Sequence, residues 1–189
     1  MKLLPVVLTG GRSERFGRDK LREPWGSGML VDAPVGALRA VFGAPVVLCG
    51  ACHADVAVRG DLMLADRRPG GGPIGGIVAA LEHPLGADGV FVLAGDLGYV
   101  TESEVRAILT ATEGDAASWA VLADSGRIEP CVGVYRQRAR RALEEQMACG
   151  RGSLHDALPA SRVTRVRIDA AKLRNVNTPE DVVGPTGAA

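Results

Sequence analysis

The sequence predicts an α/β domain built on a mostly parallel sheet, and three observations predict it. Short apolar runs bounded by glycine, such as "LLPVVLT" and "GVFVLAGD", read as strands buried on both faces. Segments with helical spacing alternate with these runs in a repeated strand–helix order. The polar, glycine-rich breaks fall just after Leu8, Ala65 and Ala94, at the carboxyl ends of strands, where sheets of this kind bind ligands.

Each element has its own reason. "LLPVVLT" is the first strand. "VDAPVGALRAVFG" reads as helical after Pro34 and stops at Gly43. "PVVLC" is a second strand and "DLMLAD" a third. "PIGGIVAALEH" begins with a proline, which suits the first helical position because its missing N–H would have no partner there. "GVFVLAGD" is a strand ending in an acid. "TESEVRAILTAT" opens with Thr101 and Glu104 at capping-box spacing. "SWAVLAD" and "EPCVGVY" read as strands joined by the turn "DSGR". "RQRARRALEEQMACG" is a charged amphipathic helix stopped by Gly150. "SRVTRVRID" alternates, as a half-exposed strand does. In "NTPED", Thr178 and Pro179 suit the N-cap and first position of a last short helix. No repeat or linker interrupts the chain, so residues 1–183 are expected to form one domain and residues 184–189 a flexible tail.

Composition narrows the function. The 189 residues are long enough for a sizeable core. The 22 basic and 22 acidic residues cancel, and aromatics are only 4%, which argues against nucleic acid as a partner. No apolar run is long enough for a membrane span. The amino-terminal "MKLLPVVLTGG" lacks a small-residue cleavage site and reads as a first strand, so the expected compartment is the cytoplasm. Cys49 and Cys52 form a C-x-x-C beside His53, but Cys131 and Cys149 make no second pair. A buried cysteine ending a strand is therefore the preferred reading over a zinc or redox site. His53, His83 and His155 are isolated, and no G-x-S-x-G supports a hydrolase triad.

Four stretches carry chemistry. After the first strand, Gly10 and Gly11 let a ligand approach the backbone, because no Cβ intrudes. The following loop carries Arg12, Arg15, Arg18, Lys20 and Arg22 against Glu14 and Asp19, a local charge of +3. Such a run alone is often only a solvated surface, but joined to a glycine pair at a strand end it points to phosphate binding. It is no Walker A loop, since G-K-[ST] is absent. In "ADRRPGGGPIGG", Gly70, Gly72 and Gly75 match G-x-G-x-x-G, but Pro73 interrupts the turn, and Asp96, about 20 residues on, ends a strand two elements later instead of the adjacent one. The better reading is a loop close to a flat ligand, with Asp66 offering a carboxylate to N–H donors. Asp96, at the mouth of an apolar strand, suits Mg²⁺ beside phosphates or, alternatively, an N-cap. Asn175 and Asn177 share one side of an extended stretch. They read as turn-forming residues or as amide oxygens completing the Mg²⁺ shell.

Together and in this order these stretches resemble the molybdenum cofactor guanylyltransferases, also called molybdopterin-guanine dinucleotide biosynthesis protein A. The resemblance rests on G-G-x-S-x-R-x-G-x-D-K from Gly10 to Lys20, on Asp66 with Gly-Pro-x-x-Gly from Gly72 to Gly76, on Asp96, and on "NVNTPED". It implies a Rossmann-like three-layer α/β/α sandwich of the nucleotide-diphospho-sugar transferase type, mostly parallel with one antiparallel strand. It implies a Mg²⁺-dependent transfer of GMP from GTP to the phosphate of molybdopterin, with release of pyrophosphate. Leu8, Gly10, Gly11, Arg12, Lys20, Asp66, Gly76 and Asp96 would bind the nucleotide. Lys20, Arg15 and Asp96 would carry the catalysis, and Asp96 with Asn177 or Asn175 the metal. Transient contact with molybdoenzymes or cofactor-insertion proteins follows from the same resemblance. Two departures stand out: Gly98 occupies the place of a common proline, and "LCGACH" lacks an asparagine usual after the second strand. The alternatives are a nucleotidyltransferase using CTP or a sugar phosphate, and an inactive nucleotide-binding regulatory homologue. "LTGG", where related cytidylyltransferases often read L-A-A-G, favours guanine by resemblance.

Overall fold

A computed structural model describes residues 1–10, 19–43, 45–68, 72–86, 88–150, 153–177 and 181. Its centre is β1 (Leu3–Leu8), whose apolar run is divided between two cores by the alternation of a strand. Leu4, Val6 and Leu8 enter one core and Val7 the other. Parallel strands lie on both sides of it: β4 (Val47–Cys49), followed by β5 (Leu62–Leu64), on one side, and β6 (Gly89–Ala94) on the other. Beyond β6 come β8 (Ile128–Arg136), β7 (Ala120–Asp124) and β9 (Val163–Arg167), in the order β5-β4-β1-β6-β8-β7-β9. Among the described residues of this sheet, β8 alone runs antiparallel to its neighbours, between β6 and β7. A separate two-stranded ribbon joins β2 (Pro24–Trp25) to β3 (Gly28–Met29).

Helices cover both faces, giving the expected three layers. The helices α1 (Asp32–Phe42) and α4 (Glu102–Gly114) pack on one face, where Val35, Leu38, Val105 and Ile108 meet Val7, Phe91 and Val134. On the other, α3 (Pro73–Glu82) and α5 (Arg140–Ala148) bring Ile74, Ile77 and Leu143 onto Val6, Val92 and Tyr135. A short α2 (Ala54–Ala57) is capped by the His53 ring, whose Nδ1 accepts from the Asp55 N–H at 3.2 Å. The described residues contain no helix long and apolar enough to cross a membrane.

Most sequence expectations for these elements hold. Pro73 opens α3, β7 and β8 form a hairpin with Gly126 at φ 112°, and β9 is a half-exposed edge strand. The helix expected after Pro34 starts earlier, at Asp32, because proline is tolerated throughout a first turn that needs no N–H acceptor. The ribbon, a 3₁₀ turn at Lys20–Arg22 and α2 lack the periodicity that would reveal such short pieces. The last short helix expected at Thr178 and Pro179, and the tail, lie outside the described residues.

The hairpin is irregular in one place. Leu122 faces Gly133, but the next residue, Ala123, faces Glu129. Pro130, Cys131 and Val132 therefore bulge without a partner on β7, while Val132 still pairs with Leu93 of β6. The Tyr135 hydroxyl holds the bulge by donating to the Pro130 carbonyl at 2.6 Å.

The capping box is formed as predicted: Glu104 Oε2 accepts from the Thr101 N–H at 2.8 Å, and the Thr101 hydroxyl caps the first turn of α4. Thr101→Ala is expected to cost about 1 kcal/mol, lowering Tm by about 2–4 °C. Thermal unfolding of the two proteins checks this, and an unchanged Tm contradicts it.

Candidate functional site

The site lies at the carboxyl edge of β1 and β6. Past Leu8, the N–H groups of Thr9 and Gly10 donate to the Cys49 carbonyl at 2.9 and 3.3 Å, and the Thr9 hydroxyl reaches the Gly50 carbonyl at 3.1 Å. Gly50 has φ 110°, and a Cβ on it would sit 2.4 Å from Gly10 N. The two strand ends thus meet backbone to backbone, and glycine at 10 and 50 is what permits it. A Cβ on Gly10 would also come within 3.9 Å of Asp66 Oδ2. Gly11, Arg12 and Arg15, expected to bind nucleotide or act in catalysis, lie outside the described residues.

Lys20 is set by the turn that begins with it. Asp19 caps that turn, with Oδ1 accepting from the Leu21 N–H at 3.1 Å and Oδ2 from the His53 N–H at 3.3 Å. Arg22 adds an ion pair to Asp55 at 2.8 Å. These contacts tie the end of the cationic loop to the β4–α2 connection. From there Lys20 Nζ donates to Asp96 Oδ2 at 2.5 Å and to Asn177 Oδ1 at 3.1 Å. Asp96 Oδ1 is buried and has no hydrogen-bond partner among the described residues. Such an oxygen is costly unless something else fills its coordination.

Asp96 and the asparagines are held by a small core of their own. Val176, fully buried, packs with Trp25 and Leu30, and its N–H donates to the Asp96 carbonyl at 3.0 Å. Alternation along this strap sends its neighbours the other way: Asn175 lines the cavity and Asn177 meets Lys20. Trp25 ties in the remaining side by donating its indole N–H to the Gly98 carbonyl at 2.8 Å. A Cβ on Gly98 would lie 2.4 Å from Trp25 Cζ2, so the indole explains why glycine stands where the resembling family has proline. Tyr99 stacks edge-on against Trp25, with ring centroids 5.0 Å apart, and Arg174 lies over the Tyr99 ring.

A cavity of about 280 Å³ opens beside this cluster. Leu8, Gly10, Lys20, Asp96 and Asn175 line it, so the structure brings together five of the residues expected from sequence. Glu129, Pro130 and Cys131 form the opposite wall, which sequence reasoning did not find. The signal available was the irregular "RIEPC" at the start of a strand. Burial and the negative charges of Asp96 and Glu129 push the Cys131 thiol up to about 12, so the wall is uncharged at this point.

Asp66 and Gly76 stand to one side of the cavity. Asp66 Oδ1 accepts from the Arg68 N–H at 2.7 Å, and a Cβ on Gly75 would collide with this carboxylate. Gly76 faces the sheet, where a Cβ would come within 3.0 Å of Leu8 Cδ2 and 3.3 Å of Cys49 Sγ. It lets α3 lie close to β1. Cys49 packs in the α3-side core and Cys52 against the α1-side core, so the C-x-x-C thiols face opposite sides of the sheet. Burial, then the charge of Asp66, pushes the Cys49 thiol up to about 12, in keeping with a small buried hydrophobe.

The residues present fit a divalent cation of limited protein ligation. No group of three or more His, Cys, Asp or Glu is placed to hold a metal among the described residues. The donors available are the unpartnered Asp96 Oδ1 and the amide oxygens of Asn175 and Asn177. Mg²⁺ characteristically takes one or two protein oxygens and completes its shell with water and substrate phosphates.

Known proteins resemble this chain over most of its length. Residues 5–164 match the family model described as the MobA-like NTP transferase domain. A Pelotomaculum thermopropionicum protein named "Probable molybdenum cofactor guanylyltransferase" is 30% identical, over 94% of this chain and 89% of its own. The "Molybdenum cofactor guanylyltransferase" of Pseudomonas putida is also 30% identical, over 93% of each chain. The crystal structure of molybdopterin-guanine dinucleotide biosynthesis protein A from Archaeoglobus fulgidus shares the fold, with TM-score 0.72 and 24% identity over 95% of this chain and 94% of that one. The family match spans Gly10, Lys20, Asp66 and Asp96, and the chain belongs to the MobA-like NTP transferase family.

Proposed function

We propose that this chain transfers GMP from GTP to the terminal phosphate of molybdopterin. One observation carries the reading: Lys20, Asp96 and Asn177, from three distant segments, converge beside one cavity at the carboxyl edge of the sheet. The names of the Pelotomaculum and Pseudomonas relatives supply the base and the acceptor. Transient contact with proteins that take up the dinucleotide product belongs to the same reading.

In this reaction an oxygen of the acceptor phosphate attacks the α-phosphorus of GTP. A new P–O bond forms, the bond to the β-phosphate oxygen breaks, and pyrophosphate leaves with the electron pair. The attacking group is already an anion, so no protein nucleophile or base is required. The protein's work is alignment and charge neutralisation. Gly10 leaves space for the nucleotide against the backbone. The Lys20 ammonium neutralises phosphate charge and, once phosphates enter, exchanges part of its contact with Asp96 for them. Arg15 is assigned the same role. Asp96 with Asn177 or Asn175 would hold Mg²⁺, which supplies further charge neutralisation at the phosphates. Leu8, Arg12, Gly11, Asp66 and Gly76 complete the nucleotide side.

Asp96→Ala and Lys20→Ala are each expected to lower GMP transfer by about 10²-fold or more, with unchanged circular dichroism. Near-normal turnover in both, measured as pyrophosphate release with Mg²⁺, GTP and molybdopterin, sinks the assignment. In the same assay CTP should be a poor donor, and a preference for CTP overturns the choice of base.

The Trp25 contact makes a separate prediction. Trp25→Phe keeps one aromatic ring but removes the second ring and the N–H that the Gly98 carbonyl accepts, a loss of at least about 1 kcal/mol in stability. Because Gly98 follows Asp96 by two residues, the Mg²⁺ concentration giving half-maximal rate should rise as well. A lower Tm with an unchanged Mg²⁺ requirement would make the contact merely structural.

A further inference from the structure

Glu129 is the one carboxylate besides Asp96 on the described cavity wall, and the reaction above gives it no task. It begins the bulge in β8, on the far side of β6 from Gly10. Two strand spacings, about 10 Å, separate it from the backbone where the nucleotide is assigned. Its carboxylate is held from one side only. The Ser125 hydroxyl donates to Oε1 at 2.7 Å and Arg127 Nε donates to the same Oε1 at 3.0 Å. Oε2 has no partner among the described residues. The side chain is 18% exposed, so it is fixed and largely desolvated yet still reachable. Arg127 offsets its charge, which would otherwise repel a phosphate-bearing ligand.

The surrounding wall suits a flat ring. Pro130 and the protonated Cys131 thiol follow Glu129, and Leu97 and Leu173 line the same cavity. Tyr135 fixes the Pro130 carbonyl, so the bulge presents this wall in one shape. A fixed acceptor oxygen at the edge of an apolar slot selects a planar heterocycle with N–H donors on its rim. A 2-amino-4-oxopyrimidine edge offers two adjacent ones, a ring N–H and an exocyclic amino group. Guanine and pterin both carry that edge.

We propose that Glu129 recognises the 2-amino-4-oxopyrimidine edge of the acceptor's pterin. The inference rests on the acceptor named above. Its place on the β8 side, across Asp96 from Gly10, assigns it to the pterin and not to the guanine of GTP.

Direct binding tests this without turnover. The intrinsic fluorescence of 6-hydroxymethylpterin is titrated with the protein, beside the lumazine analogue in which oxygen replaces the 2-amino group. The native protein should bind the pterin at least about tenfold more tightly, as expected for a charge-assisted hydrogen bond. Glu129→Gln keeps the size but turns an N–H towards N–H donors, and it should abolish that preference. The ratio of GTP to ITP use, which probes the same edge on the donor base, should stay the same in the variant. Equal binding of the two heterocycles by the native protein, or no binding of either, overturns the proposal even if the variant fails to fold. A collapse of the GTP to ITP ratio in Glu129→Gln overturns it too, by moving the residue to the guanine. Loss of GMP transfer in Asp96→Ala with no pterin preference would leave the transferase reading intact and reject only this assignment.

Discussion

The contact between Lys20 and Asp96 organises this molecule's functional edge. The two residues are 76 positions apart and come from different elements, yet Nζ and Oδ2 lie 2.5 Å apart. Each is mostly shielded from water, with side-chain exposures of 20% and 14%. Removing one partner of such a pair leaves the other poorly solvated, which favours a cationic or anionic ligand able to replace it. In the proposed reaction, incoming phosphates would offer oxygens to the ammonium, and a cation would offer charge to the carboxylate. The pair therefore holds the site in a form that substrate can take over.

Much of the structure serves to bring those two side chains together. Asp19 and Arg22 fasten the Lys20 turn to His53 and Asp55. Trp25 and Val176 hold the Gly95–Tyr99 loop and the Asn175–Asn177 strap around Asp96. The sheet contributes direction: β1 and β6 are parallel neighbours, so Gly10 and Asp96 emerge from the same edge. The antiparallel β8 contributes its beginning to that edge, and its bulge closes the cavity.

The layers, the sheet and the polar edge were legible in the sequence because they rest on periodicity and on glycine. A short β-branched run such as "PVVL" suits a sheet covered on both faces, and Gly10 at the end of such a run marks a close approach. Even so, the reason for Gly10 is wider than expected. It admits Gly50 as much as any ligand, and that contact is invisible without the register of β1 and β4. Lys20 and Asp96 were legible as chemistry, whereas their mutual contact was not. The ribbon holding Trp25 is too short to leave a periodic signal, so the cause of Gly98 was hidden until the indole was seen over it. Glu129 was hidden for another reason: only the broken pairing between β7 and β8 turns it into a cavity residue.

In the proposed reaction this edge moves a nucleotidyl group and not a terminal phosphate. The most direct test is isotopic. Protein, Mg²⁺ and molybdopterin are incubated with GTP labelled either at the α- or at the γ-phosphate, and the acceptor is separated from the nucleotide. Label is expected in the acceptor from α-labelled GTP alone, with the γ-label recovered entirely in pyrophosphate. Transfer of the γ-label to the acceptor, or no transfer of either, contradicts that reaction.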